Sequence, residues 1–230
     1  MSKVIVITGA TKGIGKAIAE KFAVQGFQLA LCARNINDSI GWVRGLKTPA
    51  LFLPCDVSNK KQVQYFAEEV LNKYGSIDVL VNNAGLFLPG AVHNEPEGTL
   101  EKLIETNLYS AYHLTRALVS SMVQKQSGHI FNISSVAGIQ SYPNGGSYSI
   151  SKFAMQGLSK ALREELKTEG IKVTSVIAGA TLTDSWAGTD LPSSRFMTPQ
   201  DIAQSIWDVY SLSPNTVVEE LVLRPQLGDI

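Results

Sequence analysis

Apolar and polar positions alternate in two rhythms along the 230-residue chain. Seven apolar runs have the length of strands: "KVIVITG", "FQLALCA", "PALFLPCDV", "IDVLVNNAG", "GHIFNISS", "IKVTSVIAG" and "TVVEELVLRP". Longer segments separate them. "IGKAIAEKFAVQG", "KKQVQYFAEEVLNKYG" and "TLEKLIETNLYSAYHLTRALVSSMVQ" carry apolar residues at helical spacing, two of them closed or followed by glycine. Strands apolar on both faces, alternating with helices, predict a parallel sheet covered on both sides. The expected fold is therefore α/β: one domain over residues 1–230, with a doubly wound, seven-stranded parallel sheet. Two stretches break the rhythm. Residues 35–48 leave room only for a short helix, and residues 184–197, "DSWAGTDLPSSRFM", read as a loop ahead of a helix capped at "TPQD".

Composition narrows the class. A 44% hydrophobic chain of this length buries a sizeable core, and no run approaches a transmembrane helix. Twenty basic and twenty acidic residues cancel, with no basic patch to recruit nucleic acid or a membrane surface. The N-terminus runs within three residues into an apolar strand, so a cytoplasmic protein is expected. Cys32 and Cys55 show no metal-ligand or C-x-x-C spacing and are expected to be buried free thiols in a reducing compartment. His93, His113 and His129 fall on different elements without ligand spacing, and no metal is expected.

In a doubly wound sheet, ligands bind beyond the carboxyl ends of the strands. The turn "TGATKGIG" after the first strand brings Gly9, Gly13 and Gly15, which permit a tight turn and close approach of backbone to a pyrophosphate. Its G-x-x-x-G-x-G spacing differs from the common G-x-G-x-x-G. Further on, "SYSISKFA" sets Tyr148 and Lys152 four residues apart at the start of a helix, hence on one face. Such a pair is either solvated surface or the core of an active site.

Taken together, "TGATKGIG", "CDV", "NNAG", Asn107 in "ETNLYSA", "NISSVAG" and "YSISK" occur in an order that resembles the short-chain dehydrogenases/reductases over essentially all 230 residues. The resemblance implies a Rossmann fold and a catalytic group of Asn107, Ser135, Tyr148 and Lys152. Tyr148 would give a proton to the developing alkoxide, and Lys152, a cation one turn away, would bring the phenol's pKa down toward working pH while bonding the nicotinamide ribose. Ser135, preferred over its neighbour Ser134, would donate to the substrate oxygen. Asn107, otherwise a satisfied core amide, would anchor a water leading to Lys152. The dinucleotide would lie along Gly9, Thr11, Lys12, Gly13, Ile14 and Gly15, then Asp56 and Val57 at the adenine, with Asn83, Ala84 and Gly85 beneath. Gly179, Thr181 and Thr183 would reach the nicotinamide. Ala178 stands where the family usually has proline, which puts the geometry of that loop in question.

Charge selects the cofactor. The second strand ends in Ala33 and Arg34, without the carboxylate that would hold a ribose diol, and Lys12 adds a second cation. Two cations without an acid suit the 2′-phosphate of NADP(H). The substrate would be a small carbonyl compound, walled by Leu86, Phe87, Tyr142, Trp186 and Phe196. The tail "TVVEELVLRPQLGDI" is similar to that of bacterial sepiapterin reductases, which suggests a pterin side-chain ketone or a diketone, with Asp184 and Asp229 as partners for a guanidine-like ring edge. A 3-oxoacyl-carrier-protein reductase is the alternative, and a dinucleotide sensor without catalysis is the alternative of another class. The apolar surface of segments 99–124 and 148–168 and the family's habit imply a homodimer or homotetramer.

Overall fold

The structure is a computed structural model and describes residues 2–230. Seven strands form one parallel sheet in the order β3-β2-β1-β4-β5-β6-β7: β1 (Val4–Thr8), β2 (Gln28–Ala33), β3 (Ala50–Pro54), β4 (Val79–Asn82), β5 (Gly128–Ser135), β6 (Ile171–Ala178) and β7 (Glu220–Leu223). All seven expected strands are present. The order reverses between β1 and β4, which opens the crevice where a dinucleotide lies in such sheets.

Period-2 alternation sorts the side chains between two layers. In β1, Ile5 and Ile7 face one layer while Val4 and Val6 face the other; in β2, Leu29 and Leu31 oppose Ala30 and Cys32 in the same way. The first layer is closed by α1 (Gly13–Val24), α2 (Ile40–Gly45) and α7 (Pro199–Tyr210). Phe22 is its centre, fully buried and edge-on to Phe27, Trp207 and Tyr210 at 5.0, 5.4 and 5.7 Å. The second layer is closed by α3 (Lys60–Tyr74), α5 (Ser110–Gln124) and α6 (Gly146–Leu166), with Phe66, Val70, Leu114, Leu118 and Leu166 buried against the sheet. Burying each such side chain contributes roughly 1.5–3 kcal/mol.

Local signals set the helix ends. Asn59 accepts from the N–H groups of Lys61 and Gln62 to start α3, and Gly75, at φ +74°, stops it. The "TPQD" cap forms: Thr198 and Asp201 cap each other reciprocally around Pro199. The expected long helix over 99–124 is interrupted. α4 (Thr99–Ile104) passes into a π-helical turn, Glu105–Tyr109, before α5 resumes. Such insertions occur often at functional sites, and this one carries Asn107. Among the described residues no helix is long and apolar enough to cross a membrane.

Candidate active site

The glycine-rich turn is stapled from β1 and β4. The Thr8 hydroxyl accepts from the N–H groups of Asn83 and Ala84 at 3.0 and 2.9 Å, and Asn83 Nδ2 donates to the carbonyls of Thr8 and Gly9 at 2.8 and 3.1 Å. Gly9 takes φ +65°. A Cβ on Gly15 would stand 2.4 Å from the Gly9 carbonyl oxygen and 2.5 Å from Asn83 Nδ2, so no side chain fits there. Asn83 thus holds the turn with its side chain, and the strand-end threonine Thr8 joins it in a role that no local pattern marks.

A cavity of about 740 Å³ opens beside this turn. Its walls include Ile14, Asn83 and Gly85 from the crevice, Ser134 and Ser135 from β5, Tyr148 and Lys152 from α6, and Gly179, Thr181 and Thr183 after β6. Leu86, Phe87, Tyr142 and Trp186 line it as expected. Phe196 does not: it is buried behind Trp186, edge-on at 5.0 Å, because a large ring in this short loop is more stable packed into the fold than facing the cavity.

Tyr148 meets the Phe87 ring edge to face at 4.9 Å, and Ser135 stands beside it in the same cavity. Ser135 in turn accepts from Ala137 N–H at 3.2 Å, while Ser134 Oγ is buried without a partner. The phenol is pushed up to about 12, chiefly by burial, with the Ser135 hydroxyl pulling the other way. This corrects the expectation of a lowered phenol. Lys152 is buried as well, which pushes its ammonium down to about 8. Its Nζ donates to the Ile133 carbonyl at 3.1 Å and lies 5.7 Å from the Tyr148 ring centroid. Burial thus drives the two groups apart, the phenol up to about 12 and the ammonium down to about 8, whereas free tyrosine and lysine titrate within about half a unit of each other.

Asn107 is fully buried. Its Oδ1 accepts from Leu86 N–H at 2.7 Å, and its Nδ2 donates to the Leu86 carbonyl and to Ser151 Oγ, both at 2.9 Å. Three of the amide's four hydrogen-bonding positions are thus used in clamping the chain after β4 and the side of α6. A Cβ on Gly85 would sit 3.5 Å from Asn107 Oδ1 and 3.6 Å from Lys152 Nζ, which places these groups around one small space.

The cations expected at the 2′-phosphate behave differently. Arg34 is exposed beyond β2. Lys12 instead forms an ion pair with Asp184, Nζ to Oδ2 2.5 Å, across the mouth of the crevice. Asp184 is thereby occupied, as is Asp229, which pairs with Arg224. Asp229, expected near the substrate, lines the cavity together with Arg224 and Ile230, which local pattern did not mark. Ala178 extends the β6 ladder opposite Ser135 and Leu223, and Gly179 N–H donates to the Leu223 carbonyl at 2.8 Å. Met197 bonds Ala180 and Leu182 backbone, so the 183–196 excursion is pinched at its base. The loop after Ala178 is thus held by strand and tail contacts.

The family model for short chain dehydrogenases matches residues 3–191. The chain belongs to that family. This short-chain dehydrogenase/reductase is 35% identical to a sepiapterin reductase of Chlorobaculum tepidum, over all of this chain and 99% of that protein. Among solved structures, an alcohol dehydrogenase from Thermococcus sibiricus complexed with 5-hydroxy-NADP superposes with a TM-score of 0.90 at 28% identity, covering 100% of this chain and 99% of that one. A metagenomic short-chain oxidoreductase in complex with NADP gives 0.85 at 32% identity, covering 97% of both chains. The protein is an oxidoreductase of the short-chain class.

Proposed function

We propose that the enzyme uses NADP(H) to interconvert a small carbonyl compound and its alcohol. The observation that carries the reading is the convergence of Ser135, Tyr148 and Lys152 on one cavity at the carboxyl ends of β4, β5 and β6, beside a glycine turn that only glycine at position 15 allows. The turn, Asn83 to Gly85, and Gly179 to Thr183 leave a backbone-lined crevice suited to a dinucleotide, with Asp56 and Val57 at its adenine end. Arg34, exposed beyond β2, would meet a 2′-phosphate, and Lys12 would join it on leaving Asp184. When bound, the nicotinamide supplies or accepts the hydride.

The chain's own groups do the remaining work. Ser135 Oγ donates to the substrate oxygen and steadies the charge that gathers there. Tyr148 keeps its proton through the working pH range because burial holds it near 12, so it is always ready as the acid. Lys152 bonds the ribose and stabilises the tyrosinate left after transfer. Asn107 acts through Leu86, fixing the chain that carries Phe87 into the cavity.

For the substrate, a pterin side-chain ketone or related diketone fits best. Phe87, Tyr142 and Trp186 offer flat apolar walls for such a ring. A 3-oxoacyl-carrier-protein substrate fits less well, because Arg224, among the described residues the one cation lining the cavity besides catalytic Lys152, is already paired with Asp229. Assembly as a homodimer or homotetramer is supported by exposed Leu100, Tyr109, Tyr112, Ile150 and Phe153 on α4, the π-helical turn, α5 and α6, and by Val222 on edge strand β7. Free Cys32 and Cys55 agree with a cytoplasmic enzyme. The test is kcat/KM with NADPH for sepiapterin, an aromatic diketone and an acetoacetyl thioester. Sepiapterin or the diketone should lead; a thioester ahead by about tenfold, some 1.4 kcal/mol, replaces this reading with the fatty-acid one. NADPH binding without turnover of any carbonyl would instead support a dinucleotide sensor.

A further inference from the structure

Glu95 takes no part in the chemistry above, yet it touches the helix that carries it. It lies half-buried in the chain between β4 and α4, and its carboxylate crosses to the start of α6. Oε2 accepts from the Ser147 backbone N–H at 3.3 Å, and Oε1 accepts from the Ser147 hydroxyl. Ser147 is buried and directly precedes Tyr148. The helix's own N-cap, Gly145, has no side chain to meet the first-turn N–H groups. Glu95 supplies from 52 residues away what a serine or aspartate supplies locally, and its charge suits a helix N-terminus.

The surrounding contacts leave little play. Gly90 N–H donates to the Asn144 carbonyl at 3.0 Å. At Gly146, φ +25°, a Cβ would stand 2.3 Å from the Gly90 carbonyl oxygen and 2.9 Å from Glu95 Oε2. Asn107 holds the same chain at Leu86, and the Phe87 ring rests edge-on against Tyr148. Residues 86–95 are therefore tied at both ends to the frame that carries Tyr148.

We propose that Glu95 is a positioning residue for the carbonyl reduction. Acting through Ser147, it sets the first turn of α6 and so the place of the Tyr148 hydroxyl, and it joins the substrate wall and the proton donor into one unit. The inference rests on Tyr148 being that donor. A displaced donor slows the chemical step while leaving the glycine turn intact, because that turn is held by Thr8 and Asn83 from β1 and β4.

The experiment measures kcat and KM per active site, the NADPH dissociation constant and the melting temperature for Glu95→Ala, Glu95→Gln, Ser147→Ala and the Glu95→Ala/Ser147→Ala double variant, with Tyr148→Phe as reference. Glu95→Ala should lower kcat roughly tenfold or more, the scale of a misplaced reacting group, with NADPH affinity held within about twofold. Glu95→Gln retains an acceptor and should recover most of kcat. Ser147→Ala should lose part of it, and the double variant should fall no further than Glu95→Ala alone, since both act through one contact. Unchanged kcat in Glu95→Ala, additive losses, or a loss that Glu95→Gln does not relieve overturns the inference. An inactive Tyr148→Phe beside a fully active Glu95→Ala removes this inference alone; an active Tyr148→Phe removes the proton-donor reading and this inference with it.

Discussion

The Lys152 ammonium passes the Tyr148 ring, 5.7 Å from its centroid, and ends on the Ile133 carbonyl at 3.1 Å. The lysine is therefore anchored to strand β5 before any ligand arrives. Its proximity does not outweigh the cost of burying the phenol, which sits near 12 while the ammonium sits near 8.

Lys152 predicts a pH dependence of cofactor binding. Its ammonium in the free enzyme loses its proton as pH rises through about 8, so NADPH affinity should weaken above that value. Lys152→Arg, whose guanidinium stays charged, should remove the dependence between pH 7 and 9 even where it lowers affinity throughout. Fluorescence titration of NADPH across that range checks it, and a flat profile in the parent enzyme contradicts it.

Arg34 and Lys12 should differ in their effect on cofactor choice. A charge-assisted hydrogen bond to phosphate contributes ~1.5–3 kcal/mol, so Arg34→Ala should reduce the preference for NADPH over NADH roughly tenfold or more. Lys12→Ala should cost less, because Lys12 must first leave Asp184. Ratios of kcat/KM for the two cofactors decide it; equal efficiency in the parent enzyme would count against the 2′-phosphate reading.

Gly15→Ala should dismantle the crevice. Its methyl would overlap the Gly9 carbonyl and the Asn83 amide, forcing the turn apart at a cost of about 1–3 kcal/mol in stability. NADPH binding should be lost in a protein whose strands and helices persist, as circular dichroism and titration would show.

His129 predicts an acid limb of stability. The ring stacks on Phe131 at 3.9 Å, bonds the Thr174 hydroxyl at 2.8 Å, and is pushed down to about 3 by burial and then by Lys172. Between pH 6.5 and 3 the unfolded imidazole binds the proton that the folded one refuses, so stability is present above 6.5 and lost as pH falls. From 6.5 to 5 the loss should be about 1.6 kcal/mol, since the unfolded imidazole is half protonated at 6.5 and the slope reaches its full ~1.4 kcal/mol per pH unit only below that. Denaturant unfolding at both pH values checks this, and His129→Phe should show a shallower change.

What could be read from the sequence was local. Apolar rhythm located all seven strands, and glycine spacing with Tyr148 and Lys152 on one face marked the site. What could not be read depends on contacts between distant residues. Lys12 meets Asp184 across 172 positions, Asn83 reaches back 75 to Thr8, and Arg224 joins the cavity from the tail and takes up Asp229. Phe196 looked like a wall because it is an aromatic ring in the loop expected beside the substrate, and only packing shows that it pairs with Trp186 inside the fold. The π-helical turn at Asn107 left no trace in the apolar period, since the amide's partners lie in the chain after β4.

The central claim is that the Tyr148 hydroxyl delivers the proton. Tyr148→Phe keeps the ring and its contact with Phe87 while removing that one oxygen. The decisive measurement is turnover of the best carbonyl substrate alongside NADPH titration in the same preparation. The account predicts a kcat lower by at least about 10²-fold, the least expected of a lost general acid, with NADPH affinity nearly unchanged; undiminished turnover would contradict it.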